Sequence, residues 1–350
     1  MNLKWLLVFI PIGMALAWFE ANPTLVFLAS ALAIIPLAGL MGDSTEALAR
    51  FIGPTLGGLL NATLGNAPEI IIGFFALKHG LVDMVKASIT GSLLGNLLFG
   101  LGVSIMAGGL RRPKELMRFD LDTGRIHSGL LMLATIGLIV PAVFDFSTDS
   151  EHKISLHVAV VLFLVYLLSV FHTLTQGGPD AETNTGQPEE EEAGWSRNKA
   201  LGVLAAVTVG LAVMSEIMTD ALEPAAKSMG FTPLFAGIFL LALVGNTAEL
   251  INSVRFARQN QLDLSLGITV GGSAQIALLV APLLVFFGAA IGQDMNLLFS
   301  QFELIAIILT VYTIINLLQG GSVRWVAGAA LIAIYLILGI GFYYAPAAVG

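Results

Sequence analysis

Eleven apolar blocks follow one another along this chain, at roughly 3–19, 23–41, 51–77, 84–108, 127–145, 155–174, 199–219, 231–256, 264–289, 301–319 and 323–344. A helix rising about 1.5 Å per residue needs about 20 apolar residues to cross a bilayer. Each block therefore predicts a membrane-spanning helix. The third, fourth, eighth and ninth are long and rich in Gly, Asn, Ser and Thr, and small residues let helices approach closely. The others read as lipid-facing or packing helices. The block 5-WLLVFIPIGMALAWF-19 behind Lys4 reads as a retained helix, because no small-x-small cleavage site follows it.

Composition agrees. Of 350 residues 56% are hydrophobic and 11% charged, with mean hydropathy +0.87. Soluble domains carry about 25% charged residues, so this chain has too little polar surface to stay dissolved and is an integral membrane protein. Net charge is -8, but six acids and no base sit in 175-TQGGPDAETNTGQPEEEEAGWS-196. That stretch reads as a solvated linker dividing the chain, with cation attraction as a second reading. No basic patch is interleaved with aromatics, which leaves nucleic acid without support as a partner. The absence of cysteine excludes disulfides, thiolate metal sites and Cys nucleophiles.

With a cytoplasmic N-terminus, alternating loops place twelve bases inside: Lys4, Arg50, Arg111, Arg112, Lys114, Arg118, Arg125, Arg197, Lys199, Arg255, Arg258 and Arg324. Four fall outside: Lys78, Lys86, Lys153 and Lys227. Bases concentrate in cytoplasmic loops. The bias predicts N-in, C-out and an odd number of spans, since dropping one span scrambles it.

Two stretches repeat: 65-GNAPEIIIGFFALKHGLVDMVKASITGSLLGNLLFG-100 and 245-GNTAELINSVRFARQNQLDLSLGITVGGSAQIALLV-280. Gly65, Asn66 and Glu69 match Gly245, Asn246 and Glu249, and Asp83 matches Asp263. After one gap, Ile89 and Thr90 match Ile268 and Thr269, and Asn96 falls on Gln275. Glu69 lies in the third span and Glu249 in the eighth, an odd number of crossings apart, so the copies run in opposite directions. That is the inverted-topology repeat of secondary transporters, whose site is expected at the midplane between repeats. The predicted fold is an all-α polytopic membrane protein of about eleven helices. An extra N-terminal helix (1–22) precedes a first five-helix repeat (23–174), an acidic cytoplasmic loop (175–198) and a second five-helix repeat (199–350).

In each copy Asn and Glu stand three apart, on one helix face. Gly65 and Gly245 precede them, and Pro68 adjoins Glu69, so the helices are expected to open locally and free carbonyls. The second copy has Thr247 and Ala248 and no proline, so the two openings need not be equal. A carboxylate deep in a bilayer costs several kcal/mol unless paired or protonated. Lys78, Arg255 and Arg258 lie toward helix ends and can snorkel away, which leaves a cation or a proton as the occupant. Two carboxylates with amide, hydroxyl and backbone oxygens suit Ca2+, which takes six to eight oxygens, better than a soft metal. The same carboxylates empty when protonated, and two protons balance one divalent cation. Asn66, Asn246, Asn96 and Gln275 are candidate ligands or ligand-positioners, with Ser92 and Ser273 weaker candidates; plain helix–helix hydrogen bonding is the competing role. Glu216, in 214-MSEIM-218 near a predicted helix end, reads equally as a gate, a proton carrier or a water-facing acid, and Glu46 in 42-GDSTEALA-49 reads similarly. His157 and His172 read as structural or interfacial.

GNAPE, GNTAE and 262-LDLSLGITVGGSAQIALLVAP-282 together resemble the calcium/proton antiporters of the cation/calcium exchanger superfamily. The resemblance covers nearly the whole chain, including the acidic loop and the acids at Glu46 and Glu216. It implies that Glu69 and Glu249 bind Ca2+ or protons by turns and that Asn96 and Gln275 line the same site. It also implies that Glu46 and Glu216 help ion passage, with Ca2+ as transported substrate and no cofactor or catalysis. The second motif commonly reads GNAAEH in that family. Here Thr247 offers a hydroxyl that can coordinate or pack, and Leu250 removes a polar neighbour. The expected setting is the cell membrane, or a vacuolar membrane for a eukaryotic chain, with a homo-oligomer compatible. Exchange driven by Na+, or of another divalent cation, is the runner-up. A channel or intramembrane hydrolase is a third class, and no hydrolytic constellation recurs in the spans.

Overall fold

A computed structural model describes residues 3–145, 151–176 and 195–345. Most of the acidic linker, residues 177–194, lies outside the described residues. The described chain is almost wholly helical: α1 (Leu3–Trp18), α2 (Pro23–Ile52), α3 (Pro54–Gly65), α4 (Ala67–Lys78), α5 (Val82–Gly109), α6 (Leu121–Asp145), α7 (Glu151–Gln176), α8 (Arg197–Ser228), α9 (Pro233–Arg258), α10 (Leu262–Ile291), α11 (Gln301–Leu318) and α12 (Trp325–Tyr344). Among the described residues nine helices are long and apolar enough to cross a membrane; α1 is shorter, and α3 and α4 divide one predicted span. Wide apolar surfaces stay uncovered, for example Trp18 at 84%, Leu168 at 65% and Ile337 at 66% exposure. Exposed apolar surface of this extent is at home in lipid. The chain is an all-α polytopic membrane protein.

Helix starts follow from local sequence. Pro23, Pro54 and Pro233 open their helices, where a missing N–H costs nothing. Asn22 Oδ1 accepts from Thr24 N at 2.9 Å, and Thr232 Oγ1 from Phe235 N at 3.2 Å. Gly53 supplies the φ of +85° that turns α2 into α3. These starts repeat: residues 54 and 233 are 179 apart, 82 and 262 are 180 apart, and so are 121 and 301. The sequence repeat is thus also a repeat of helix boundaries.

The chain forms two compact units, each drawing on both halves of the sequence: residues 1–81 with 167–230, and 82–166 with 231–350. In the first unit α2 and α8 pack along their lengths. Thr24 Oγ1 and Ser228 Oγ share a hydrogen bond of 2.7 Å, so the start of α2 meets the end of α8 and the pair is antiparallel.

In the second unit α5 and α9 run parallel at close range. Early in both, a Cβ on Gly91 would stand 2.6 Å from Ile238 Cα, and one on Gly237 would stand 2.5 Å from Ala87 Cβ. Late in both, a Cβ on Gly108 would stand 2.6 Å from the Ala257 carbonyl oxygen. Lipid removes the hydrophobic drive between helices, leaving van der Waals contact and interhelical hydrogen bonds, so small residues decide the approach. Ser253 Oγ bonds Ser104 Oγ at 2.7 Å and Ser265 Oγ at 2.8 Å, tying α9 to α5 and α10, with all three serines fully buried.

Loop contacts fix helix direction within this unit. At one end Lys86 Nζ donates to Asn296 Oδ1 at 3.4 Å, and Leu297 N donates to Ser155 Oγ at 3.1 Å. At the other, Arg112 bonds Asn260, and Asp120 N donates to Asp263 Oδ1 at 2.7 Å. There two short strands also pair antiparallel, β1 (Met117–Arg118) with β2 (Ser322–Val323). Every such contact joins loops that span alternation puts on one side. It follows that α5 opposes its repeat partner α10 in direction, and α6 opposes α11.

Several sequence expectations change. The span expected at 51–77 is broken at Asn66, because Pro68 cannot donate to the preceding turn. The second span runs on to Ile52 instead of ending near 41, so Glu46 lies inside a helix. The seventh runs from Arg197 to Ser228, so Glu216 sits three turns from its end and not near it.

Candidate functional site

In the second unit the motif around Glu249 lies on an unbroken helix. Ala248 keeps the N–H that Pro68 lacks, so α9 continues through Asn246 and Glu249. Its irregularity sits earlier, as a π-helical turn over Ala236–Leu241. Thr247 turns its hydroxyl back onto the Leu243 carbonyl of its own helix. Of the two openings expected, the first is present as the break at Asn66, and the second is absent: the helix runs unbroken through Gly245, with its π turn ending at Leu241.

Further π turns mark the helices that carry the amides. Asn96 lies in Gly95–Gly100 of α5, and Gln275 immediately precedes Ile276–Val280 of α10. A third covers Gly267–Gly271. Such turns aim side chains off the regular helical pattern and recur at functional sites. Asn96, 3% exposed, donates from Nδ2 to Glu249 Oε2 at 2.9 Å. A hydrogen bond to a carboxylate is stronger than one between neutral groups. Gly272 completes the surroundings: a Cβ there would lie 3.5 Å from each Glu249 carboxylate oxygen and 3.7 Å from Asn96 Nδ2. Three helices, α5, α9 and α10, thus converge on one acid.

Asn246 lies one turn before Glu249, 6% exposed, and its Oδ1 has no hydrogen-bond partner among the described residues. With Asn96, Phe99 and Tyr335 it lines a small cavity. Phe99 and Tyr335 rings lie against each other at 5.2 Å, tilted by 32°, and both line this cavity. Ser273 is fully buried and donates to the Thr269 carbonyl at 2.7 Å, while Ser92 is buried in α5. Gln275 is half-buried.

In the first unit Asn66 is the joint between α3 and α4, with φ -94° and ψ 9°, and is 1% exposed. Glu69 stands in the first turn of α4, half-buried. At the far end of α4, Lys78 Nζ donates to Glu216 Oε1 at 2.9 Å, and His79 Nε2 lies 3.6 Å from the same oxygen. His79 Nδ1 faces Asp220 Oδ1 at 3.7 Å. Glu46 is exposed and pairs with Arg50 at 3.2 Å, one turn along α2.

Sequence reasoning put Asn96 beside a repeat glutamate, and the structure places it on Glu249. It missed the partners of Glu216: Lys78 lies at the helix end, as expected, with its side chain 55% exposed, and there it holds this acid. It also missed the buried serine chain, whose members carry no motif. Glu303, the one charged residue in α11, is 4% exposed and accepts from Thr90 Oγ1 at 2.9 Å. A lone charge inside an apolar block was the signal available for it.

The sequence matches the sodium/calcium exchanger protein family over residues 22–175 and 199–344. It is 38% identical to a Ca2+/H+ antiporter of Aphanothece halophytica, with 97% of this chain and 96% of that protein aligned. It is 39% identical to a Ca2+/H+ antiporter of Synechocystis, over 97% and 96% of the two chains. Among solved structures, native YfkE superposes with a TM-score of 0.84 at 33% identity, over 98% of this chain and 100% of that one.

Proposed function

The chain belongs to the sodium/calcium exchanger family, and from that premise we propose that it is a secondary antiporter exchanging Ca2+ for protons. Relatives matched along nearly their whole length carry that activity in their names. The observation that carries the reading is the Asn96–Glu249 hydrogen bond, an amide of the first repeat on the glutamate of the second.

The chemistry is a competition for oxygen. Glu249 as a carboxylate accepts from Asn96 and presents oxygens to a hard cation, as does Glu69 by the repeat. Protons on the two carboxyls discharge them and release the cation, so each ligand removes the charge the other needs. Amide oxygens of Asn66, Asn246, Asn96 and Gln275 complete an all-oxygen coordination set of the kind Ca2+ takes, with Ser92 and Ser273 in supporting positions. Glu46 and Glu216 stand on the ion's route, Glu216 with Lys78 as its internal counter-ion. The architecture is one added helix followed by two inverted five-helix repeats. The N-terminus and the acidic loop are cytoplasmic, and the net work is export of cytosolic Ca2+.

The test is Ca2+ flux in sealed proteoliposomes under an imposed proton gradient, then an imposed sodium gradient. Protons drive uptake on this reading; uptake driven by sodium alone refutes it. Glu69→Gln and Glu249→Gln each abolish exchange while the purified protein keeps its helical content. Full activity in either variant removes that glutamate from the site.

A further inference from the structure

Glu303 is the one charged group in α11, it is nearly fully buried, and nothing in the exchange chemistry above uses it. Both carboxylate oxygens are engaged: Oε1 accepts from Thr90 Oγ1 at 2.9 Å and Oε2 from Ser300 N at 2.9 Å. Ser300 Oγ in turn accepts from Glu303 N at 3.4 Å, closing a capping box. The ready explanation is that Glu303 only caps a helix.

The repeat argues against that. Residues 300 and 303 correspond, 180 positions earlier, to Asp120 and Thr123 at the start of α6. There the N-cap acid is Asp120, whose Oδ2 accepts from Thr123 N at 2.7 Å while its own N–H donates to Asp263 Oδ1 at 2.7 Å, and the third position is Thr123. Capping this helix pair therefore does not require a glutamate at the third position. What Glu303 adds is reach to another helix. Thr90 is fully buried on α5, five residues before the π turn that begins at Gly95 and carries Asn96. The nearest bases do not explain the acid either. Lys86, one turn earlier on α5, is engaged with Asn296 and lies 3.6 Å from Asp83. Across α6, the acids and bases Asp122 and Arg125 sit at the opposite end and pair with each other at 2.9 Å. Asp294 and Lys153 share the Glu303 end of the unit and are exposed to water. No base lies within ion-pair distance of Glu303 among the described residues.

A π turn holds one surplus residue and can shift along its helix, rotating the side chains it passes. Such a shift in α5 would carry Asn96 off Glu249. We propose that Glu303 is a positioning residue for the exchange site. Through Thr90 it pins the turn of α5 from which the π segment departs, and so holds Asn96 in register with the Glu249 carboxylate. This rests on the reading of Asn96 and Glu249 as part of the Ca2+ site.

Initial rates of proton-driven Ca2+ uptake are measured against Ca2+ concentration for the full chain and for Thr90→Val, Glu303→Gln, Thr90→Val/Glu303→Gln, Thr90→Ser and Ser300→Ala, with melting temperature alongside. Thr90→Val raises half-saturating Ca2+ about tenfold or more, the size expected for losing a hydrogen bond to a charged group, and Glu303→Gln, whose amide still reaches Thr90 but without the charge, raises it severalfold. The double variant goes no further than the larger single, because both act through one bond. Thr90→Ser restores the wild-type value. Ser300→Ala, which weakens the cap alone, lowers the melting temperature and leaves half-saturation unchanged. Half-saturation within twofold of wild type in both Thr90→Val and Glu303→Gln, or multiplying effects in the double, overturns the proposal and leaves Glu303 as a cap. If the unmutated chain shows no proton-driven uptake, the functional reading has failed instead.

Discussion

Gly91→Ala tests whether the close approach of α5 and α9 sets the site. The added methyl would stand 2.6 Å from Ile238 Cα and 2.7 Å from its carbonyl carbon. Carbon atoms rest about 3.5–4.0 Å apart, so the helices must separate by about 1 Å. Both contact atoms are backbone and cannot rotate aside. Overpacking of this kind costs about 1–3 kcal/mol. The same displacement acts on the site, because Asn96 stands five residues further along α5. Its 2.9 Å bond to Glu249 would stretch to about 3.9 Å, beyond hydrogen-bonding range. Losing a bond to a charged group costs about 1.5–3 kcal/mol, or about a 10- to 150-fold rise in half-saturating Ca2+. The assay pairs thermal unfolding in detergent with proteoliposome uptake. Gly129→Ala on α6 is the control, an exposed position outside the site with nothing within 4 Å of its Cβ position, and stays close to wild type in both measurements. Wild-type melting and uptake in Gly91→Ala would refute the reasoning.

Three further outcomes follow from the same geometry. Ser253→Ala removes two buried hydroxyl bonds, and at about 0.6 kcal/mol each in a membrane should cost about 1 kcal/mol; an unchanged melting temperature would show the chain is ornamental. Asp120 lies outside the spans, and its carboxyl is held below the usual range by the Thr123 backbone N–H and then the Thr123 hydroxyl. Its stabilising effect is present above the unfolded value of about 3.9 and is lost as pH falls through the lower folded value; Asp120→Asn should therefore flatten the acid side of a melting-temperature profile, and an unaltered profile counts against the cap. The Lys78–Glu216 pair has side chains 55% and 36% exposed, so Lys78→Met should cost no more than about 1 kcal/mol, an effect vanishing near 1 M salt where screening is complete within about 3 Å; a larger, salt-independent loss would contradict it.

The hydropathic blocks located the helices well because lipid forces each span to satisfy its own backbone. They located ends poorly where a helix outruns the apolar stretch, as α2 does through the polar run around Ser44 and Glu46. The break at Asn66 was half-legible: Pro68 marks it, but a proline in a span can also be absorbed by a kink. The repeat gave the opposed directions of α5 and α10 and paired Asn96 with Gln275, because both depend on spacing; that these amides line the glutamates' site was what the family resemblance implied. Contacts such as Lys78–Glu216, Ser104–Ser253–Ser265 and Thr90–Glu303 were illegible. They depend on which faces meet after packing, and ordinary polar residues carry no label of their partner.

The second unit is assembled from residues 82–166 and 231–350, with a long stretch of other chain between. Its polar partners are correspondingly far apart: Ser104 and Ser253 by 149 residues, Asn96 and Glu249 by 153, Thr90 and Glu303 by 213. A ribosome adding about 5–20 residues per second needs about 10–40 s to cover such gaps. For that interval a newly inserted α5 holds an amide and two hydroxyls in the bilayer with their partners not yet made. Biogenesis thus imposes a waiting period on this helix. Anything that shelters it, an insertion factor or the helices already made, governs yield without touching the finished transporter.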